Sequence, residues 1–303
     1  MRIIFMGTPE FAVASLDALL KDGFNIVAVV TGPDKPAGRG QKIHESEVKK
    51  FAVAKGLPVL QPLKLKDPVF LEQLRSYQAD LQVVVAFRML PEVVWNMPPL
   101  GTINLHASLL PDYRGAAPIN WAVINGEKVT GVTTFLLQHE IDTGNILFSA
   151  RVEIGEHETA GDLHDKLMKV GSLLLVETVK AMESGDYQPR PQEDLKRPAT
   201  HAPKIFKDDC LINWHRPVQI VYNHIRGLSP YPTAFTHIHN KTLKIFKASP
   251  VYEKADREPG SFISDGKTFL RFACNDGWIN VEELQIEGKK RMQVDEFLRG
   301  YRL

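Results

Sequence analysis

The sequence contains little cysteine and no long apolar run, and each scarcity excludes a class of protein. Cys210 and Cys274 are the only cysteines among 303 residues. A disulfide framework and a Cys-x-x-Cys metal site are therefore excluded, a single disulfide is not, and a reducing compartment is favoured. The most apolar stretch, around Val83–Phe87, is far too short to cross a bilayer. The first residues have the pattern of a strand and not of a secretory leader. We therefore expect a cytoplasmic protein without membrane association.

Motifs for binding nucleotide cofactors are also lacking. The turn Gly7–Ala12 follows the first apolar run but has one of the three glycines that a dinucleotide fingerprint requires. Pro9 removes a backbone N–H that a pyrophosphate would use. No P-loop occurs either, so the sequence predicts neither an NAD site nor an ATP site.

Charge is almost balanced over the whole chain but unevenly distributed. The formal net charge is +1. The stretch Lys196–Lys247 holds nine lysines and arginines against Asp208 and Asp209, a net charge of +7. Such asymmetry favours a polyanionic partner, although a solvated basic surface would give the same count.

The order of predicted elements indicates two domains. Strands and helices alternate in the first part, and the strands are continuously apolar, which is typical of a doubly wound, mostly parallel Rossmann-like sheet. A basic, proline-rich stretch follows, and then five short strands with turns suggest a small OB-like β-barrel. We expect a catalytic domain at 1–186, a linker at 187–207 and the barrel at 208–303.

Two polar side chains at the end of one predicted strand suggest acyl-transfer chemistry. Asn104 and His106 are two residues apart, so both side chains lie on one face, at the edge where open parallel sheets bind ligands. An amide can donate to a developing oxyanion, and an imidazole can transfer a proton near neutral pH. Asp142, in a predicted turn, is the candidate that orients the imidazole. Alternatively, Asn104 and His106 merely satisfy each other's hydrogen bonds.

The segment that contains this pair resembles the folate-dependent formyltransferases. The likeness rests on Asn104-Leu105-His106 followed by Ser-Leu-Leu-Pro and Tyr-Arg-Gly-Ala-Ala-Pro-Ile. Further motifs resemble the members that act on a tRNA-borne amine and extend over both domains. They are Ile3–Ala12, Lys35–Gly40, Ile141–Gly144, Ala202–Ile205, Ile225–Pro232 and Gly288–Met292. Phe87–Leu90 departs from the smaller, glycine-bearing turn that is common in the family.

The resemblance implies a reaction and a set of residues. The formyl donor would be 10-formyltetrahydrofolate, and the acceptor would be the amine of initiator methionyl-tRNA, bound by a monomeric enzyme. Asn104, His106 and Asp142 match the catalytic trio. By analogy, the folate pocket would be lined by Phe87, Arg88, Met89, Leu90, Ser108, Leu109, Leu110 and Pro111. The tRNA would be contacted by Lys35, Arg39, Lys42, Lys204 and Lys207.

Other functions remain compatible with the same residues. A formyltransferase could act on a small amine, such as a sugar nucleotide, but a basic second domain would then have no purpose. A hydrolase that releases formate would use the same trio, and a non-catalytic RNA-binding protein would not need it. Without the resemblance, the Lys35–Lys42 loop would simply be a mobile, exposed basic loop. Arg114 could equally be a structural arginine that pairs with backbone carbonyls.

Overall fold

The structure is a computed structural model that describes residues 1–37, 42–196 and 198–301. It divides into two compact units that are interleaved along the chain. We call them the first unit (residues 1–114, 131–152 and 165–201) and the second unit (residues 115–130, 153–164 and 202–303). The contiguous bounds expected from the sequence remain a prediction. Within the described ranges, no helix is long and apolar enough to cross a membrane.

The chain up to residue 202 forms eleven strands and six helices among the described residues. In chain order they are β1 (Arg2–Gly7), α1 (Glu10–Lys21), β2 (Asn25–Val30), β3 (Lys35–Ala37), β4 (Lys42–His44), α2 (Glu47–Ala54), β5 (Val59–Leu60), α3 (Pro68–Ser76), β6 (Leu81–Val85), α4 (Glu92–Trp95), β7 (Thr102–His106), β8 (Arg114–Gly115), α5 (Pro118–Ile124), β9 (Val129–Leu136), β10 (Ile146–Glu153), α6 (Ala160–Ser184) and β11 (His201–Ala202). A 3-10 turn occupies Gln192–Leu195.

A seven-stranded sheet forms the centre of the first unit, in the order β10-β9-β7-β6-β1-β2-β5. The five strands from β7 to β5 are parallel to their neighbours, whereas β9 is antiparallel to β7. Ile3, Ile4, Phe5 and Met6 are fully buried on both faces of β1, which explains the continuous apolar run. The predicted mostly parallel α/β sheet is confirmed.

Local sequence signals set where the helices of this unit begin. The Ser46 hydroxyl accepts the Lys49 N–H at the start of α2. The Asp67 carboxylate accepts the Val69 N–H at the start of α3, where Pro68 occupies the first turn. Each cap satisfies a backbone N–H that the first turn leaves unpaired, and so sets the residue at which the helix begins.

The second unit contains a six-stranded antiparallel half-barrel sheet. Its remaining elements are α7 (Val218–Gly227), β12 (Ala234–Ile238), β13 (Lys241–Val251), β14 (Phe262–Ser264), β15 (Leu270–Ala273), β16 (Trp278–Ile286), β17 (Met292–Gln293) and α8 (Val294–Gly300). The helix α7 buries Val221, Tyr222 and Ile225 in the core of this unit. All five strands predicted for this barrel are present. The sequence analysis missed β17 and α8.

Candidate active site

The pair Asn104 and His106 lies at the carboxyl end of β7, inside the sheet of the first unit. The strand β7 is parallel to β6 on one side and antiparallel to β9 on the other. Because the two residues are two positions apart, both side chains emerge on one face. His106 is only 6% exposed, and Asn104 is partly buried. The strand therefore presents both polar groups at the edge that the spacing predicted.

The imidazole of His106 has an oxygen atom near each of its ring nitrogens. Its Nε2 lies 2.9 Å from the backbone carbonyl oxygen of Tyr113. Because a carbonyl only accepts, Nε2 carries the proton of the neutral ring. Its Nδ1 lies 3.8 Å from Oδ2 of Asp142, which is longer than a direct hydrogen bond. The basic nitrogen of the neutral ring therefore faces a carboxylate. The Tyr113 carbonyl had no signal in the sequence, since any residue supplies one.

The carboxylate of Asp142 projects from a tight loop between β9 and β10. Asp142 adopts a φ of +54°, a region that non-glycine residues rarely occupy. Two positions on, a Cβ at Gly144 would lie 1.6 Å from the Leu136 carbonyl oxygen, so only glycine fits there. The sequence motif Ile141–Gly144 thus has a physical cause, because the glycine lets the loop press against β9.

The segment Ser108–Pro111, predicted to line the folate pocket, follows β7 directly. Thr133 on β9 is fully buried, and its hydroxyl donates to the Ser108 carbonyl at 2.7 Å. The same hydroxyl oxygen accepts the Leu110 N–H at 3.2 Å. Thr133 therefore fixes the course of this segment, a role that the sequence analysis missed because its partners, Ser108 and Leu110, are distant in the sequence.

The other predicted folate-contacting segment, Phe87–Leu90, follows the neighbouring strand β6. Since β6 and β7 are parallel, both segments leave the sheet at the same edge. Leu90 is buried, whereas Met89 is 71% exposed. The Arg88 guanidinium donates to the backbone carbonyls of Pro62 and Leu63. Arg88 thus bonds to a neighbouring backbone segment, which explains how this departure from the family pattern is accommodated.

The cationic residues predicted to contact tRNA are placed only in part. Lys35 is exposed on β3, and Lys42 lies on β4, its antiparallel partner. The sequence analysis had assigned this segment to an irregular loop and missed the hairpin. Arg39 lies outside the described residues. In the second unit, Lys204 and Lys207 are exposed, and the Lys204 ammonium lies 5.4 Å from the Phe206 ring centroid.

The arrangement in the first unit suits transfer of an acyl group to an amine. Asn104 and His106 supply an amide and an imidazole from β7, and the Asp142 carboxylate lies 3.8 Å from that imidazole. Groups of these types can act as the oxyanion donor, the base and the charged partner of the base in such a reaction. Apolar side chains of Phe87, Leu90 and Leu110 follow the same two strands and could receive a flat aromatic substrate.

The chain is similar to known proteins over its whole length. The family model described as Formyl transferase matches residues 1–179, and the one described as Formyl transferase, C-terminal domain, matches residues 204–302. The Methionyl-tRNA formyltransferase of Bacteroides fragilis is 54% identical, over 100% of this chain and 96% of that protein. The protein of the same name from Phocaeicola vulgatus is 55% identical, with the same coverage. The chain therefore belongs to the formyl transferase family.

Solved structures share the fold at much lower identity. The sugar 3N-formyl transferase WlaRD, solved with dTDP and 5-N-formyl-tetrahydrofolate, superposes with a TM-score of 0.68 at 20% identity. The match covers 96% of this chain and 99% of that chain. This likeness supports the architecture alone, because proteins of one fold often act on different substrates.

Proposed function

We propose that this chain transfers the formyl group of 10-formyltetrahydrofolate to the amino group of initiator methionyl-tRNA, the reaction that prepares this tRNA for translation initiation. The observation that carries the proposal is full-length similarity, at 54% and 55% identity, to relatives named Methionyl-tRNA formyltransferase. A sugar-nucleotide acceptor is not favoured, because the relatives that match the full chain at this identity carry the name of the tRNA enzyme.

The proposed chemistry assigns one task to each residue of the trio. The amine nitrogen attacks the formyl carbon, and the carbonyl electron pair moves to oxygen. The Asn104 side-chain amide donates hydrogen bonds to that oxyanion. His106 accepts the amine proton at Nδ1, since Nε2 already donates to the Tyr113 carbonyl. Asp142 stabilises the resulting imidazolium from 3.8 Å. The oxyanion electron pair then re-forms the carbonyl as the bond from the formyl carbon to the folate nitrogen breaks. That nitrogen takes up the proton from His106, which becomes neutral again.

The folate would bind along the segments that follow β6 and β7. Phe87, Leu90 and Leu110 would supply apolar contacts to its ring system, and Arg88 and Met89 would shape the rim. Ser108, Leu109 and Pro111 would place backbone groups beside the formyl carbon. This assignment is supported by the parallel pairing of β6 and β7, which brings both segments to the edge where Asn104 and His106 emerge.

The tRNA would be recognised through cationic residues of both units. Lys35, Arg39 and Lys42 would reach the acceptor stem, and Lys204 with Lys207 would contact backbone phosphates. The net charge of +7 over Lys196–Lys247 supports the second assignment. We further propose a monomeric, cytoplasmic enzyme with a catalytic domain at 1–186, a linker at 187–207 and a tRNA-binding domain at 208–303. Light scattering of the purified chain tests its oligomeric state.

One assay tests the proposed reaction against its alternatives. The purified full chain is supplied with 10-formyltetrahydrofolate and initiator methionyl-tRNA, and in parallel with an amino-sugar nucleotide. Formyl-methionyl-tRNA is the expected product. A formylated sugar, free formate or no product would each reject the proposed acceptor and favour a sugar formyl transferase, a hydrolase or a binding protein respectively.

A further inference from the structure

The side chain of Gln192 is almost completely buried, although it belongs to a stretch that composition predicts as a linker. Gln192 begins the 3-10 turn Gln192–Leu195, and it is 2% exposed. A buried amide is costly unless its donors and acceptor are all satisfied. The burial of this polar group in a proline-rich connection therefore calls for a reason.

Every hydrogen-bonding group of this amide has a partner in the first unit. Its Nε2 donates to the carbonyl of Asp142 at 2.9 Å and to the carbonyl of Gly144 at 2.8 Å. Its Oε1 accepts from Nε and Nη2 of Arg114 at 3.1 and 2.6 Å. Carbonyls only accept and guanidinium only donates, so the orientation of the amide is unambiguous. The charge of Arg114 also polarises the amide and strengthens its two N–H donors.

The two carbonyls that Gln192 binds belong to the loop that carries the carboxylate facing His106. That loop also lies against the backbone of β9, since the Leu136 carbonyl oxygen leaves no room for a Cβ at Gly144. Arg190 adds a further tie, since its backbone N–H and carbonyl both pair with Ile146 at 2.8 Å. The loop is therefore held between β9 and the segment that contains Gln192.

We propose that Gln192 is a positioning residue for catalysis, which fixes the backbone of Asp142–Gly144 and thereby sets the Asp142 carboxylate against His106. Asp142 is held in the left-handed region, with φ of +54°, and such a conformation persists only where the surroundings impose it. Displacements of about 1 Å at a reacting group can change rates by about a hundredfold. This inference rests on the proposed function, because it assumes that the carboxylate acts in formyl transfer.

The substitution Gln192→Glu tests the inference most directly. It preserves size and the acceptor for Arg114, but it replaces the two N–H donors with a carboxylate oxygen that faces two carbonyls. We expect kcat for formyl transfer to initiator methionyl-tRNA to fall about tenfold or more, with the KM of each substrate changed by less than about threefold. Gln73→Glu, an exposed change on α3 of the same unit, is the matched control and should retain the activity of the unsubstituted chain.

A double-substitution cycle separates positioning from general stability. If Gln192 acts through the carboxylate, Gln192→Glu should lower kcat by less than about twofold in an Asp142→Asn background. An equal loss in both backgrounds would overturn the inference, as would an effect confined to KM. Gln192→Met, which is apolar and of similar length, decides the question if the glutamate variant does not fold. If the unsubstituted chain forms no formyl-methionyl-tRNA, the proposed function fails as well. If it does and both Gln192 variants keep full kcat, only this inference fails.

Discussion

The Nδ1 atom of His106 lies 3.8 Å from the Oδ2 atom of Asp142, while the opposite ring nitrogen is bound to a backbone carbonyl. The separation exceeds a hydrogen bond, so the carboxylate acts on the ring mainly through its charge. Both side chains are nearly buried, with 7% and 12% of their surfaces exposed, and water screens such a pair less than one at the surface. The proposed role of His106 as proton acceptor rests on this facing carboxylate.

Removing either polar side chain of β7 should nearly abolish formyl transfer. We expect His106→Ala and Asn104→Ala each to lower kcat by about a hundredfold or more, because a base and an oxyanion donor typically contribute that much. Single-turnover formylation of methionyl-tRNA measures the effect, and thermal unfolding checks that each variant stays folded. Turnover within about threefold of the unsubstituted chain for both variants would remove this pair from the site.

Glycine at position 144 should be essential for the loop that carries Asp142. A Cβ there would lie 1.6 Å from the Leu136 carbonyl oxygen, so Gly144→Ala must displace the loop or strand. We expect a loss of about 2 kcal/mol or more in the free energy of unfolding, together with a large loss of kcat. Gly32→Ala is the control, since its Cβ would make only ordinary contacts beyond 3.8 Å with Thr8. Equal unfolding free energies for the two variants would contradict this account of the motif.

Some parts of this site could be predicted from the sequence and others could not, for physical reasons. Burial on both faces gives parallel strands a nearly continuous apolar pattern, so β1 and β6 were recognisable. A two-residue spacing then placed Asn104 beside His106. The support of Asp142 could not be predicted, because Gln192 lies 50 residues away within proline-rich sequence that resembles a linker. Side chains that bind distant backbone carbonyls leave no local pattern.

The hairpin β3–β4 was missed for a related reason. Its strands are three residues each, and they flank a glycine-rich segment, so composition favoured an irregular loop. Such short pairing depends on what anchors the two ends. The anchors are Lys49 of α2 and Gln61, the residue after β5, and both reach the ends of the hairpin only after folding.

The second unit should lose stability as the pH falls below neutrality. Burial lowers the pKa of His224 below its ordinary value of 6.5. Between that lower pKa and 6.5, the unfolded chain therefore binds a proton that the folded chain does not. The contribution of neutral His224 to the free energy of unfolding is complete above pH 6.5 and is lost as the pH falls through this window.

Thermal unfolding of the chain from pH 7.5 to 5 measures this loss of stability. His224→Gln should flatten the profile, and the exposed control His237→Gln should leave it unchanged. Identical profiles in all three proteins would contradict the assignment.

The exposed residues Lys204 and Lys207 should make the binding of tRNA depend on the salt concentration. Each contact between a lysine and a phosphate releases counterions when tRNA binds. Removing one such contact therefore makes the slope of log K against log salt less steep by about one. We expect Lys204→Ala with Lys207→Ala to weaken tRNA binding and to reduce this slope, while folate affinity stays unchanged. Lys254→Ala, an exposed lysine outside the basic stretch, is the control. A slope that is the same in all variants would place the tRNA on another surface.

Lys49 should control how well the hairpin β3–β4 engages tRNA, because it ties both ends of that hairpin to α2. Its ammonium pairs with the carboxylate of Asp34, the residue before β3. The same ammonium lies 2.7 Å from the carboxylate of Glu45, the residue after β4. The hydrogen bonds from Lys49 and Gln61 hold the pKa of the Asp34 carboxyl below its usual value, so the Lys49–Asp34 pair stays charged at neutral pH.

The substitution Lys49→Met keeps the helix and its packing but leaves two carboxylates facing each other without a cation. We expect the ends of the hairpin to separate and kcat/KM for initiator methionyl-tRNA to fall about tenfold, with the KM for the folate unchanged. The matched control is Lys50→Met. Among the described residues, Lys50 pairs only with Glu47, on the exposed face of the same helix. Exposed pairs of this kind contribute little, so the control should remain within about twofold of the unsubstituted chain. Arg39→Ala tests the same account: if Arg39, which lies between β3 and β4 in the sequence, acts only when Lys49 holds the ends of the hairpin, the two losses should not add in the double variant. Additive losses would show that Lys49 affects tRNA binding by another route.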